Sequence, residues 1–426
     1  MPENRSKRAV LGALRVTPDL CGLSGIPALD SDDGHALLRW MDRSGLALYA
    51  WRQLQRHDAT EKVPREWRQA LQQRLLDNAS RTEDLLMEFC RLNAAFERRG
   101  VRVATMKGFT LVPDFCEEPA LRHQTDFDFL VRREDMSDAA EVLRMCGYNA
   151  DRWSEGGETC FTTVLHRVPS ADDYLYSHQH QRQVDLHVSL WEPSPWLAVE
   201  TPTDSMSCIE CRVLRGTWFS ALSPADSFLN QVLHVFRHSM KSWIRLSWLL
   251  ELGHCMELHR GDAELWQRVT SRAGQSELTK KAFAFVLGLV GCAFGAQTPK
   301  VLEQWLTGTD TARLRAWIEG FGLDWVITDW PGSLSNLLIA QEFIPDPKRR
   351  ASYSRSRLWP GKATTSIGTI TTKDTRTFAK LQLTRVHYLL QRTSAHVKDL
   401  CDLPMQRWRW RRALESARKG MVETNS

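Results

Sequence analysis

Apolar residues recur along this chain with two different periods, and the change of period marks its parts. Over residues 34–57 the pattern is helical, with Leu37, Leu38, Met41, Leu46 and Leu48 available for a core. Residues 66–99 continue in helical period as one or two helices. In their second half Leu85, Phe89, Leu92 and Phe96 stand three or four apart, and Gly100 is a natural stop. From residue 101 to about 188 the period shortens to two. Residues 101–106 read as a short strand, and residues 109–115, with Phe109, Leu111, Val112 and Phe115, suit a short helix. Residues 126–131 and 183–188 alternate strictly. Between them lie a helix over 136–146, stopped by Gly147, and a strand over 159–166. Residues 213–219 add an edge strand. A helical region opens at Ser223-Pro224, a serine cap with proline in the first turn, and runs to about residue 295. Residues 344–350 and 352–375 form a polar, basic connector before a last helix over 378–419, and the polar residues 1–33 are expected to be loose.

The alternation places chemistry on one face. In Asp126-Phe127-Asp128-Phe129-Leu130-Val131 the two carboxylates point one way and Phe127, Phe129 and Val131 the other. Like charges so close repel unless a cation separates them, and hard divalent cations take carboxylate oxygens alongside phosphate and water. In Gln183-Val184-Asp185-Leu186-His187-Val188, Asp185 and His187 share a face, so Asp185 is a third candidate ligand. Lys107-Gly108 follows the strand of residues 101–106. Backbone N–H groups at a glycine turn, the start of a helix and a lysine charge together make a phosphate cradle.

This order resembles the DNA polymerase β-type nucleotidyltransferase superfamily, and more closely the bacterial uncharacterised nucleotidyltransferase family. The residues that carry the likeness are Lys107-Gly108, then Arg122 four positions before Asp126-Phe127-Asp128, then Gly147-Tyr148, then Asp185-Leu186-His187. It runs over roughly residues 35 to 270. Phe115 stands where a tyrosine is usual and Glu251 where an aspartate is. The wider superfamily has Gly-Ser or Gly-Gly in place of Lys-Gly. The resemblance implies an α/β (α+β) fold: a mixed sheet with flanking helices, N-terminal helices before it and a helical domain after it. The domains would be a loose segment 1–33, helices 34–100, a catalytic core 101–222, a helical domain 223–340, and a basic connector with a C-terminal helix over 341–426. It implies transfer of a nucleoside monophosphate from a nucleoside triphosphate, ATP among them, to a hydroxyl of an unidentified acceptor, with Mg²⁺ or Mn²⁺. Asp126, Asp128 and Asp185 would be catalytic and hold metal. Lys107, Gly108, Arg122 and His187 would bind the donor. The alternative is a catalytically silent nucleotide-binding or scaffold protein on the same fold.

Composition narrows this only modestly. The 426 residues suffice for two or three domains, and a net charge of +5 permits an anionic partner without requiring one. Ten cysteines without framework spacing fit a reduced, cytoplasmic setting. The longest apolar stretch, residues 282–296, is short for a membrane span. Seventeen tryptophans fall mostly within helical patterns, as core residues would.

Other constellations have plainer readings. His178, His180 and His187 near Asp185 have a zinc-like spacing, but the first two sit in a polar loop. Cys208 and Cys211 lack a second pair. Arg122 suits a triphosphate or acceptor contact, or an ion pair with Glu117 or Glu118. The basic stretch Arg407, Arg409, Arg411, Arg412, Arg418 and Lys419, interleaved with Trp408 and Trp410, permits a nucleic acid or an anionic membrane face, although a solvated helix accounts for it as well. No Walker loop and no Gly-x-Ser-x-Gly elbow is present.

Overall fold

The computed structural model describes residues 2–153, 158–163, 174–177, 182–191, 194, 196–241, 244–328, 334, 336–359 and 375–423. Its centre is a mixed sheet with helices on both faces. The strands are β1 (Val103–Thr105), β2 (Asp126–Val131), β3 (Asn149–Trp153), β4 (Glu158–Thr162), β5 (Gln183–His187), β6 (Glu210–Leu214) and β7 (Thr217–Ala221). Among the described residues these seven stand in the order β3-β4-β5-β2-β1-β7-β6. β2 runs parallel to β5 and antiparallel to β1, and β1 runs parallel to β7.

The period of two explains the two layers. Phe127, Phe129 and Val131 of β2, Val184 and Leu186 of β5, and Phe219 and Ala221 of β7 form one apolar face. The helix α4 (Arg65–Arg99) covers it with Leu85, Phe89, Leu92 and Phe96, and α5 (Met136–Met145) adds Ala139, Ala140, Val142 and Leu143. Phe89 is the hub, its ring 5.0 Å from Phe219, 5.2 Å from Phe109 and 6.1 Å from Phe127. Gly100, at φ 70°, ends α4 as expected, because only glycine enters that region without strain.

The other face is divided along its length. Ala104, Met106 and Leu130 pack into the core of the helical layer, whereas Asp126 and Asp128 occupy the start of β2. That layer comprises α6 (Pro224–Met240), α7 (Leu246–Leu258), α8 (Ala263–Ala273) and α9 (Glu277–Phe294). Ser223 caps α6 by accepting from the Asp226 N–H at 3.3 Å. Asp226 is fully buried and receives both ends of the Arg272 guanidinium at 2.6 Å, which ties α6 to α8. Asn230 of α6 donates to the Met106 carbonyl at 3.3 Å, fixing the layer to the end of β1.

Four expectations are corrected. Residues 2–13 are not loose: α1 (Pro2–Ala13) buries Val10, Leu11 and Ala13, and Val16 N–H bonds the Phe294 carbonyl at 3.0 Å. Its apolar run is short but is covered by α9. Residues 34–57 are helical as expected, as two helices, α2 (Asp32–Ser44) and α3 (Ala47–Arg56), broken at Gly45 with φ 75°. After Lys107 there is only a 3₁₀ turn, Gly108–Leu111, because the residue before Pro113 is barred from helical geometry. The single edge strand over 213–219 is a hairpin of β6 and β7, turning at Arg215 and Gly216, both with positive φ. Part of the basic connector is a helix, Pro347–Leu358. Asp346 caps it at the Lys348 N–H, 2.7 Å, and Tyr353 buries its ring and donates to the Met240 carbonyl. Residues 164–166 of the expected strand, and His178 and His180, lie outside the described residues.

Phe89→Ala is expected to destabilise the protein by about 3–5 kcal/mol, the usual range for emptying a buried aromatic site. Met87→Ala, two residues away and 66% exposed, should change little. Chemical denaturation of the two variants side by side checks this, and equal loss from both would refute the packing of α4 against the sheet.

Candidate active site

Parallel pairing of β2 with β5 sets Asp128 level with Asp185, and Asp126 level with Gln183. Since period two holds in both strands, all three carboxylates emerge on the face under α6. One carboxylate oxygen from each of Asp126, Asp128 and Asp185 lies within 4.8 Å of the others. Asp128 and Asp185 are buried, and Asp126 is half-buried at the rim. Among the described residues this is the one group of three His, Cys, Asp or Glu side chains so placed. Cys208 and Cys211 belong to no such group.

Lys107 leaves the end of β1 and donates to Asp128 Oδ1 at 2.8 Å, while His187 Nε2 lies 3.1 Å from the same oxygen. Gln183 donates to both Asp185 oxygens at 3.2 and 3.0 Å, and Thr125 to Asp126 at 3.1 Å. Burial alone would raise the Asp128 carboxyl, yet Lys107 and His187 hold it well below the usual range. Asp185 senses His187 and Lys107 without a hydrogen bond to either among the described residues. Burial, with Asp128 and Asp126 beside it, pushes it up to about 7. Asp126 is raised too, by burial and by Asp128. The arrangement therefore stores repulsion that a cation would relieve. Three hard oxygen donors at this spacing fit a divalent ion of the magnesium or manganese kind.

Gly108 has φ 70°, and a Cβ there would stand 2.6 Å from Gln124 Nε2. The Lys-Gly turn thus needs glycine to lie flat against the segment leading into β2. Arg122, in that segment, pairs with neither Glu117 nor Glu118. Its Nε donates to Glu251 of α7 at 3.2 Å, and Tyr49 of α3 donates to the other Glu251 oxygen at 3.0 Å. Glu117 pairs with Arg56 and Glu118 with Arg52.

Sequence reasoning missed the polar stripe of α6. Asn230, His234, Arg237 and His238 recur three or four apart along the helix, and that spacing was the available signal. His234 and His238 stack at 4.6 Å, both against the Trp248 ring at 4.4 and 4.9 Å. Arg237 reaches Glu158 of β4 at 3.6 Å, so the stripe lies over the carboxylate face. Burial, then Lys107 and His238, hold His234 well below the usual histidine range. Burial, then Lys241 and Lys107, lower His238 to about 3.

A mixed sheet flanked by helices, with three carboxylates convergent on one face, is consistent with a nucleotidyltransferase fold. The model of the uncharacterised nucleotidyltransferase family matches residues 30–295, more than half of the chain, and the protein belongs to that family. No curated protein and no solved structure matches it. Among the described residues, no helix is long and apolar enough to cross a membrane, α9 included.

A histidine whose pKa is lowered by folding binds its proton only in the unfolded chain. Its share of stability is whole above about pH 6.5 and is lost progressively as pH falls toward its folded value. The raised Asp185 acts in the opposite sense. His238→Gln is therefore expected to lose less melting temperature than the wild type between pH 7 and pH 5, with Asp185 common to both. Calorimetry at the two pH values checks this; an equal loss would mean that His238 is not held neutral.

Proposed function

We infer that the protein transfers a nucleoside monophosphate from a nucleoside triphosphate to a hydroxyl group of an acceptor. The observation that carries this reading is the convergence of Asp126, Asp128 and Asp185 beside Lys107 in a chain of the nucleotidyltransferase family. Asp126, Asp128 and Asp185 are the residues that would hold Mg²⁺ or Mn²⁺. Such an ion, when bound, neutralises phosphate charge and draws the reacting oxygens into line. Lys107 and the Gly108 N–H cradle the donor phosphates, with Arg122 alongside. His187 keeps Asp128 oriented by its contact at 3.1 Å.

In the reaction the acceptor oxygen forms a bond to the α-phosphorus. The bridging α–β P–O bond breaks, and pyrophosphate leaves with the electron pair. Asp185 takes the hydroxyl proton, from its place level with Asp128 across the parallel pair. The remaining contribution is positioning and charge neutralisation. The retention of all three carboxylates favours transfer over a silent binding role.

The test is to incubate the protein with each labelled triphosphate, Mg²⁺ or Mn²⁺ and cell extract, and to identify the fraction that becomes labelled. Asp128→Asn is expected to abolish labelling while leaving the melting temperature near that of the wild type, since it removes one charge and keeps the volume. Wild-type turnover in this variant would remove Asp128 from the site. Lys107→Ala should weaken a non-hydrolysable triphosphate by roughly ten- to a hundredfold, the effect of losing one charge-assisted contact. Titration at fixed Mg²⁺ measures it, and equal affinities would exclude the Lys-Gly turn as the donor cradle.

A further inference from the structure

Two arginines beside the carboxylates have no anion of their own. Arg81 of α4 is fully buried, and it donates through Nη2 to the Gln124 carbonyl. Its Nε and Nη1 find no hydrogen-bond partner. Arg245, just before α7, donates through Nη1 to the neighbouring His123 carbonyl at 2.9 Å, and its buried Nε is also unpartnered. Neither arginine forms an ion pair among the described residues. The two guanidinium groups thus grip consecutive carbonyls two and three positions before Asp126. A buried charge without a counter-ion is strongly unfavourable, and a protein keeps one chiefly where a ligand completes the pair.

The surroundings are cationic. Burial, then Arg182 and Arg245, lower the Arg81 guanidinium to about 10. Burial and Arg122 lower Arg245, which senses Glu251 and Asp126 without touching either. His123, between them, is held well below the usual range by burial and by Arg81, Arg245 and Arg122. Among the described residues the hydrogen bond of Arg122 runs through Nε, and the side chain keeps 14% of its surface exposed. The Arg245 stem is preorganised: a Cβ on Gly45 would stand 3.0 Å from Arg245 Cδ, so the side chain lies along that glycine. Gly108 packs on Gln124, which joins Lys107 to the same rim. The result is a row of cations from Lys107 through Arg122 to Arg245, with Arg81 enclosed behind it.

We propose that Arg245 is the outer clamp of a polyphosphate subsite, binding the terminal phosphate of a di- or triphosphate chain whose inner phosphates lie on Lys107 and Arg122. A single carboxylate or orthophosphate would satisfy one of these cations. A linear chain carrying several charges satisfies the row, and the planar fork of arginine matches paired phosphate oxygens. Arg81 makes no contact with the ligand. Its enclosed charge raises the potential at Arg245. This inference rests on the nucleotidyl-transfer reading for the identity of the donor, but the anion binding itself can be measured without turnover.

The experiment uses the full chain in EDTA, where the carboxylates disfavour anions and only the cationic row attracts them. Calorimetric titration with inorganic tripolyphosphate should show binding by the wild type, much weaker binding of orthophosphate, and a loss of roughly ten- to a hundredfold in Arg245→Gln. Arg245→Gln binding as tightly as the wild type, or orthophosphate binding as tightly as tripolyphosphate, would overturn the proposal. If Arg245→Gln does not fold, the wild type decides. Tripolyphosphate should shield the Arg245 peptide from an arginine-selective dicarbonyl reagent, and modification at the unshielded rate would overturn the subsite. Tripolyphosphate binding without any label transfer in the presence of metal would leave the subsite standing and sink the transfer reading instead.

Discussion

Asp128 and Asp185 stand level in neighbouring parallel strands, both buried, and the structure is organised around their repulsion. At an effective dielectric of about 20, two charges roughly 5 Å apart repel by about 3 kcal/mol. Lys107 and His187 hydrogen-bond Asp128 and act on Asp185 only from further away, so one carboxylate is pulled down and the other pushed up. Neighbouring carboxylates on one face thereby acquire different proton affinities. A sheet can hold such a pair only if something else fixes its register. Here that is the reverse face, where Phe127, Phe129, Val184 and Leu186 pack beneath α4. A slip of one residue would exchange the two faces, exposing the rings and burying the charges.

The helical layer is part of the site. Asn230 binds the carbonyl just before Lys107, Glu251 orients Arg122, and Tyr49 holds Glu251 from the N-terminal helices. Arg245 brings a cation from the start of α7 to the peptide that leads into β2. Positive charge therefore reaches the carboxylates from four places: the end of β1, the approach to β2, α4 and α7. Each is held by a contact to backbone or to a buried carboxylate, which limits its freedom before any substrate arrives.

Much of the sheet was legible because strands state their faces in a period of two. The alternation in 126–131 and 183–188 alone put the carboxylates on one side and the aromatics on the other. Glycine stops at Gly100 and Gly147 ended helices where expected. Reading by composition was less successful. The polar N-terminus concealed α1, whose few apolar residues are buried only because α9 lies against them. The basic residues after Ile344 concealed a helix announced by the Asp346-Pro347 cap. Apolar periodicity over 109–115 suggested a helix, and Pro113 overrode it.

What the sequence determined by itself is local: which residues face together on a strand, where a helix starts and stops, and that Asp126 and Asp128 share a face with a lysine-glycine turn nearby. The tertiary structure decided the partners. Arg122 met Glu251, 129 positions away, in place of the adjacent Glu117 or Glu118, and Asp185 came level with Asp128 across a parallel pair. Arg81 and Arg245 carry no signal in the sequence, and only folding brought both to the consecutive carbonyls of His123 and Gln124. The physical reason is range. Alternation and capping act over a few residues and are written in neighbouring letters, whereas burial and ion pairing depend on distances that exist only once the chain has closed on itself.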